Sequence, residues 1–382
     1  MNNKIYLSLA KMCGEEEKFI REAINTNWVA PMGPNITGFE NDLMNFLDCK
    51  KHIVALNSGT ASIHLGLIQL GVQAGDEVIC QSFTFVASAN PIVYLGAKPV
   101  FVDSEKECWN MSPEFLRIAI EDRIAKTGKK PKAIIPVHIY GMPAKMDEIM
   151  KIAAEFEIPV LEDAAEALGS VYAGQKCGTF GDFGCFSFNG NKIITTSGGG
   201  ALVCKTEEDA NRTLFYATQA RDESLHYEHS VIGYNYRMSN ISAGIGRGQM
   251  YVLKDNIERR RKIHKSYTKL MKNMPGITVF QNPTPKFDSN FWLTCIIVNS
   301  EVAGLTINDV INGLIDENIE SRPLWKPLHL QPIYNKVPFY GDGTSEEIFN
   351  SGLCLPSGIT LSDNDILRVV NVIQGLQKAK DI

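Results

Sequence analysis

Residues 178–203 read GTFGDFGCFSFNGNKIITTSGGGALV. Two apolar runs, GCFSF (184–188) and GGALVC (199–204), enclose a turn that carries a single lysine, Lys192. The connection is too short for a crossover helix, which predicts that the two runs pair antiparallel. Taken alone, Lys192 is read most simply as a surface loop lysine.

Working back from this turn, residues 50–205 alternate short apolar runs with amphipathic segments. The runs are HIVAL (52–56), DEVIC (76–80), KPVFVD (98–103), KAIIPV (132–137) and IPVLED (158–163). Between them lie helical patterns at ASIHLGLIQLGV (61–72), SPEFLRIAIEDRI (112–124) and AKMDEIMKIAAEF (144–156). Strands this apolar suit a mostly parallel sheet buried on both faces. Strand–helix alternation predicts a doubly wound α/β domain. Forward of residue 205, ISAGIGRGQMYVLKDNIERRRKIHKSYTKLMK (241–272) reads as one long amphipathic helix. Beyond it a smaller α+β unit mixes a strand in FWLTCIIV (291–298) with a helix in INDVINGLIDENI (307–319). The expected division is 1–250 for the large domain and 251–382 for the C-terminal one.

Composition narrows the class. A net charge of −5 over 382 residues, with no long run of like charge, gives no footprint for nucleic acid or an anionic membrane. The first residues lack the apolar core of a secretory signal, and no apolar run approaches a membrane span. Nine scattered cysteines without a C-x-x-C pair read as thiols in a reducing compartment, so a cytoplasmic protein is expected.

In open α/β sheets, ligands sit beyond the carboxyl ends of the strands. After the first run comes NSGTAS (57–62), a small-residue turn opening a helix, whose free amides favour an anion. Taken alone, Ser58 or Thr60 is better read as merely an N-cap. After the second comes QSFTFVASAN (81–90), where Phe83 and Phe85 share a face if extended; aromatics there are commonly core. Asp163 ends a buried strand and is followed by Glu166. It either marks a functional position or caps the next helix. Ser187 lies five residues before Lys192. Each signal alone is modest, but together they supply what pyridoxal phosphate requires. Gly59, Thr60 and Ala61 with Ser187 would cradle the phosphate, and Phe85 would face the ring. Lys192 would bond the carbonyl carbon, and Asp163 would keep the ring nitrogen protonated.

The ordered motifs WVAPMGPNITGFE (28–40), NSGTASIHL (57–65), SFTFVASANPIVYLGAKPVFVD (82–103), PVHIYGMPAKMDEI (136–149) and EDAAEALGS (162–170) resemble the DegT group of sugar aminotransferases. The likeness continues through residues 178–203, GYNYRMSNISAGIG (233–246) and RPLWKPLHLQP (322–332), covering essentially the whole chain. It implies the aspartate-aminotransferase-like fold type I, with a mostly parallel seven-stranded sheet and a smaller C-terminal α+β domain. It also implies that Lys192 is the Schiff-base lysine, Asp163 the ring-nitrogen partner and Phe85 the stacking aromatic. Glu166 falls where relatives carry Gln or His near the ring hydroxyl. Asn235 would reach the phosphate of a neighbouring subunit, implying a homodimer. Arg322, Trp325, Lys326 and His329 would line the sugar end. The loop Asn189-Gly190-Asn191-Lys192 is similar to that of C4 aminotransferases in diacetamido-trideoxyhexose pathways. The implied reaction moves an amino group from L-glutamate to a UDP-linked 4-keto-6-deoxy-N-acetylhexosamine. A GDP-4-keto-6-deoxymannose substrate, as for perosamine, and a non-catalytic regulatory protein are the alternatives. A dehydratase of this fold would carry histidine in place of Lys192.

Overall fold

The computed structural model describes residues 3–380. Its first nine strands are β1 (His52–Leu56), β2 (Glu77–Gln81), β3 (Lys98–Val102), β4 (Ala133–Ile135), β5 (Leu161–Asp163), β6 (Val171–Tyr172), β7 (Gln175–Lys176), β8 (Phe183–Ser187) and β9 (Gly200–Cys204). Hydrogen bonding orders three of them β3-β2-β4 and four β5-β8-β9-β1. Parallel bridges Ile134↔Val160 and Val137↔Asp163 join the two groups into one sheet, β3-β2-β4-β5-β8-β9-β1. Only β9 runs against its neighbours in this sheet, so the two runs around Lys192 do pair antiparallel.

Period-2 alternation explains why the sheet is covered on both sides. Ile53, Ala55, Ile79, Val100, Val102, Ala201 and Val203 enter one core cluster, with Phe39, Leu43, Leu116 and Ile149 from the helices over it. The intervening Val54, Leu56, Val78, Cys80, Phe101, Leu202 and Cys204 enter a second, beneath helix Gly59–Gln69. Burial of such aliphatic side chains, worth roughly 1.5–3 kcal/mol each, is the main term holding these layers together.

The C-terminal part contributes β10 (Ile277–Val279), β11 (Phe287–Asp288), β12 (Thr294–Val298), β13 (Arg322–Pro323), β14 (Phe339–Tyr340) and β15 (Gly352–Leu355). An antiparallel sheet β10-β12-β15-β13 packs with helices Leu253–Met271, Ile307–Asp316 and Asp363–Lys380 around a third cluster. Two strands reach back. β14 adds to the edge of the large sheet beside β3, and β11 pairs with the β6–β7 hairpin. The N-terminal segment crosses the other way: Ile5 bridges Ile319, and Leu7 accepts from the amide of Ser357. A division near residue 250 is a proposal that these crossings qualify, since the N-terminal residues pack with the C-terminal unit.

The single helix expected over 241–272 is two helices, Asn240–Met250 and Leu253–Met271. They part at Val252, whose φ of −111° and ψ of 4° leave the helical region. The amphipathic pattern continues through the break, but the two halves serve different partners. The first packs against helices Glu15–Asn25 and Pro34–Leu47, and the second helps build the third cluster. Contact on the first side is close. A Cβ on Gly248 would lie 2.5 Å from the backbone nitrogen of Glu16, with no flexible side chain able to yield.

Gly248→Val should therefore destabilise the protein by about 2 kcal/mol or more through overpacking. Gly375→Ala, on an open face of the last helix, should instead gain about 0.5–1 kcal/mol. Urea midpoints of the two variants against wild type measure both.

Candidate active site

The carboxyl ends of β1, β2, β5 and β8 open onto one cavity of about 460 Å³. Its wall takes Ser58, Gly59 and Thr60 after β1, Thr84 and Phe85 after β2, Asp163 at the end of β5 and Glu166 beyond it, and Ser187 at the end of β8 with Lys192 beyond it. Trp292 and Trp325 close it from the C-terminal side.

Lys192 is not a surface residue. Its amine lies 3.9 Å from the ring centroid of Trp292 and 3.5 Å from Glu166 Oε1, with 14% of the side chain exposed. The loop is tied down around it. Trp292 Nε1 donates to the Asn191 carbonyl at 2.7 Å, and Ser8 Oγ donates to the same oxygen at 3.2 Å. The buried Arg260 guanidinium reaches the carbonyls of Lys192, Trp292 and Ser357. Burial lowers that guanidinium to about 10. Glu166 is fixed from its other oxygen, where the Tyr140 amide donates at 2.6 Å. Tyr140 holds a φ of 54°, a left-handed backbone that an L-residue adopts at a cost. Burial pushes the Glu166 carboxyl above the usual carboxylate range, against the opposing pull of Lys192 and the Tyr140 amide.

Strand alternation gives the three acids of EDAAE separate surroundings. Glu162 faces away from the cavity and accepts from the amides of Gly178, Phe180 and Gly181 at 2.8, 2.6 and 2.7 Å. His138 completes that group: its Nδ1 accepts from the Ala144 amide, so Nε2 carries the proton toward Glu162 at 3.0 Å. Asp163, on the opposite side, borders the cavity. Its Oδ1 accepts from the Ala165 amide at 3.1 Å and its Oδ2 from Ser88 Oγ at 2.6 Å.

At the other end Ser58 caps helix Gly59–Gln69, its Oγ accepting from the Ala61 amide at 3.1 Å. First-turn amides have no intrahelical partner and suit an anion. A Cβ on Gly59 would sit 3.1 Å from Ser187 Cβ, so the turn and the serine converge. Gly200 lets them meet, because a side chain there would strike the Ser58 carbonyl at 2.4 Å.

Of the expected site residues, Gly59, Thr60, Phe85, Asp163, Glu166, Ser187, Lys192 and Trp325 come together. Ala61 is buried behind them, its amide held by Ser58. Asn235 is exposed, and its carbonyl accepts from Asn57 Nδ2 at 3.1 Å. Arg322 and Lys326 line an adjoining cavity of about 480 Å³ that shares Asn191, Trp292 and Trp325 with the first. His329 lines neither. Its ring meets Ser82 Oγ at 2.6 Å and Glu346 at 3.0 Å, and stacks on Phe339. Phe83 and Phe85 do not share a face either. The chain turns after β2, sending Phe83 into the core while Phe85 stays half exposed, 5.2 Å from Trp325. Ser88, Tyr140 and Trp292 escaped the sequence reading. Trp292 sat in an apolar run that reads as core, and Tyr140 in a motif, HIYG, noted only for its likeness.

Burial favours neutral Glu166, so above pH about 4.5 the folded chain keeps a proton that the unfolded chain releases. Wild-type apoprotein should lose stability relative to Glu166→Gln as pH rises from there through the raised value, then level off. Urea denaturation of both across this range decides it; a gap moving in favour of wild type with rising pH would contradict the assignment.

A buried acid, an aromatic face, an anion-binding turn and an inward lysine in one cavity fit pyridoxal phosphate. Comparison with known proteins agrees. The profile of the DegT/DnrJ/EryC1/StrS aminotransferase family matches residues 11–374. EpsN of Bacillus subtilis (strain 168), whose name describes a pyridoxal phosphate-dependent aminotransferase, is 48% identical across 98% of this chain and 96% of its own. GDP-perosamine synthase of Escherichia coli O157:H7 is 35% identical over 95% of each chain. The PLP-form of Spr1654 from Streptococcus pneumoniae, named as a sugar aminotransferase, superposes with a TM-score of 0.90. It is 25% identical and covers 99% of this chain and 100% of that one. The chain belongs to the DegT/DnrJ/EryC1/StrS aminotransferase family and is a pyridoxal phosphate-dependent sugar aminotransferase.

Proposed function

We propose that the protein moves an amino group from L-glutamate to C4 of a UDP-linked 4-keto-6-deoxy-N-acetylhexosamine, giving a UDP-4-amino-4,6-dideoxy sugar and 2-oxoglutarate. The observation that carries the transamination chemistry is Lys192, held inward 3.5 Å from Glu166 in the cavity bordered by Asp163. When bound, pyridoxal phosphate supplies the electron sink that lets a C–H bond beside an amine nitrogen ionise. The chain's own residues do the rest. Gly59, Thr60 and Ser187 would bind the phosphate, Phe85 would pack on the ring and Asp163 would accept from the protonated ring nitrogen. Lys192 takes the proton from the donor's carbon and returns one to C4 of the sugar, acting as general base and then acid. Glu166, beside the amine, is placed to steady its charge.

Support for the UDP-sugar is the Asn189-Gly190-Asn191-Lys192 loop, in which Asn189 and Asn191 border the cavity. The sugar end is assigned to Trp325 with Arg322 and Lys326 in the adjoining cavity. His329 would hold that segment from behind through Ser82. The working unit is taken as a homodimer in the cytoplasm. Asn235, exposed beside Asn57 at the cavity rim, would serve the partner's phosphate. All nine cysteines are free thiols, which suits a reducing compartment. Among the described residues no helix is long and apolar enough to cross a membrane.

A second reading, amination of GDP-4-keto-6-deoxymannose, is favoured by the 35% identity to GDP-perosamine synthase. Incubation with glutamate and each 4-keto sugar in turn separates the two. The UDP-sugar should be turned over with at least tenfold higher kcat/KM, and NMR coupling constants then give the C4 configuration. Preference for the GDP-sugar would replace the first reading with the second. Lys192→Ala should lose the visible cofactor band and all detectable formation of 2-oxoglutarate. Substantial residual transamination by that variant would sink the mechanism under either substrate.

A further inference from the structure

The turn after β2 carries more than Phe85. Ser88, 1% exposed, donates its hydroxyl to Asp163 Oδ2 at 2.6 Å, and Thr84 Oγ1 lies 2.8 Å from Ser88 Oγ. A serine hydroxyl has one hydrogen. With that hydrogen on the carboxylate, the Thr84 contact runs from Thr84 to Ser88, giving a directed chain Thr84→Ser88→Asp163. Both hydroxyls are thereby spent in one direction, toward the Asp163 carboxyl.

We propose that Ser88, backed by Thr84, is a positioning residue that holds the Asp163 carboxyl group in the plane that meets the protonated ring nitrogen of the cofactor. The proposal rests on the reading that Asp163 is the ring-nitrogen partner. Both carboxylate oxygens already accept one neutral donor, Ser88 on one and the Ala165 amide on the other. This fixes the plane of the group and leaves a lone pair on each oxygen for the cavity. The amide is backbone and cannot be tuned by sequence, so Ser88 is the adjustable half of the clamp. Other titratable groups around Asp163 are Glu166 and Lys192 in the cavity and the thiols of Cys80 and Cys185 behind it. Burial pushes both thiols up, so they stay neutral and offer Asp163 no charge. Without Ser88 one oxygen of the carboxylate loses its anchor, the group can rotate away from the ring nitrogen, and the ring's positive charge is held less well. A less positive ring then raises the pKa that governs the visible band of the loaded enzyme.

The test uses the holoenzyme and reads absorbance against pH, together with cofactor affinity from titration of the stripped protein with pyridoxal phosphate. A hydrogen bond to a charged group accounts for about one to two pKa units. Ser88→Ala should therefore raise the spectral pKa by about one unit and weaken cofactor binding about tenfold or more. Ser88→Thr should restore both. Thr84→Val, which keeps Ser88 and its fold contacts, should shift the spectral pKa the same way by a smaller amount. Asp163→Asn is the reference for full loss of the carboxylate. If Asp163→Asn moves the spectral pKa while Ser88→Ala and Thr84→Val leave it at the wild-type value, the clamp is overturned and the Asp163 assignment stands. If Asp163→Asn itself leaves it unmoved, the underlying reading fails and the proposal falls with it.

Discussion

The structure turns on bringing one amine, that of Lys192, to the carboxyl edge of a buried sheet. A lysine this enclosed loses hydration that a hydrogen-bonding oxygen and a polarisable surface must replace. Glu166 and the face of Trp292 provide them. Their own placement then makes demands. Glu166 is oriented by an amide that only a left-handed Tyr140 can present, and Trp292 by a hydrogen bond to the lysine's own loop. The hydroxyl of Tyr140 accepts from the Trp325 amide at 2.7 Å, and its ring lies nearly parallel to each of the two tryptophans, with centroids 6.4 Å apart. One fully buried tyrosine thus couples the acid beside the Lys192 amine to the wall proposed for substrate.

A second constraint is the crowding of chain segments where the anion is to be held. The Ser58 turn, Gly59 and Ser187 can converge only because Gly200 on β9 has no side chain. The antiparallel turn of the chain from β8 to β9 is what returns Gly200 to this place, directly across from Ser187. The lysine loop and the proposed anion site are therefore consequences of one local reversal in an otherwise parallel sheet.

Much of this was legible in residue order. Apolar runs and their alternation located seven strands of the large sheet, and small-residue turns after them marked the candidate site, because both signals are local. Glu166, Asp163 and Lys192 could be picked out as polar residues following buried strands. Other features were hidden where local pattern and tertiary context part company. The helical period runs through Val252 without a gap, yet the chain breaks there because its halves bind different partners. Phe83 and Phe85 look equivalent until the turn after β2 separates them. His329 carries a polar ring in the segment that the family resemblance assigns to the sugar end, but Ser82 and Glu346 occupy both of its nitrogens.

By itself the sequence determined the α/β layering, the strand ends at which ligands gather and the residue types offered there. Hydrophobic period and turn chemistry act over a few neighbours, so they can be read from neighbours. Only the tertiary structure decided which offered groups share a cavity and in what ionic company. It set Lys192 against Glu166, paired Asp163 with Ser88 across 75 positions, and turned Glu162 to a structural task one residue away. Distances between segments far apart in the chain set charge, burial and hydrogen-bond direction, and none of these is a property of a residue's neighbours in sequence.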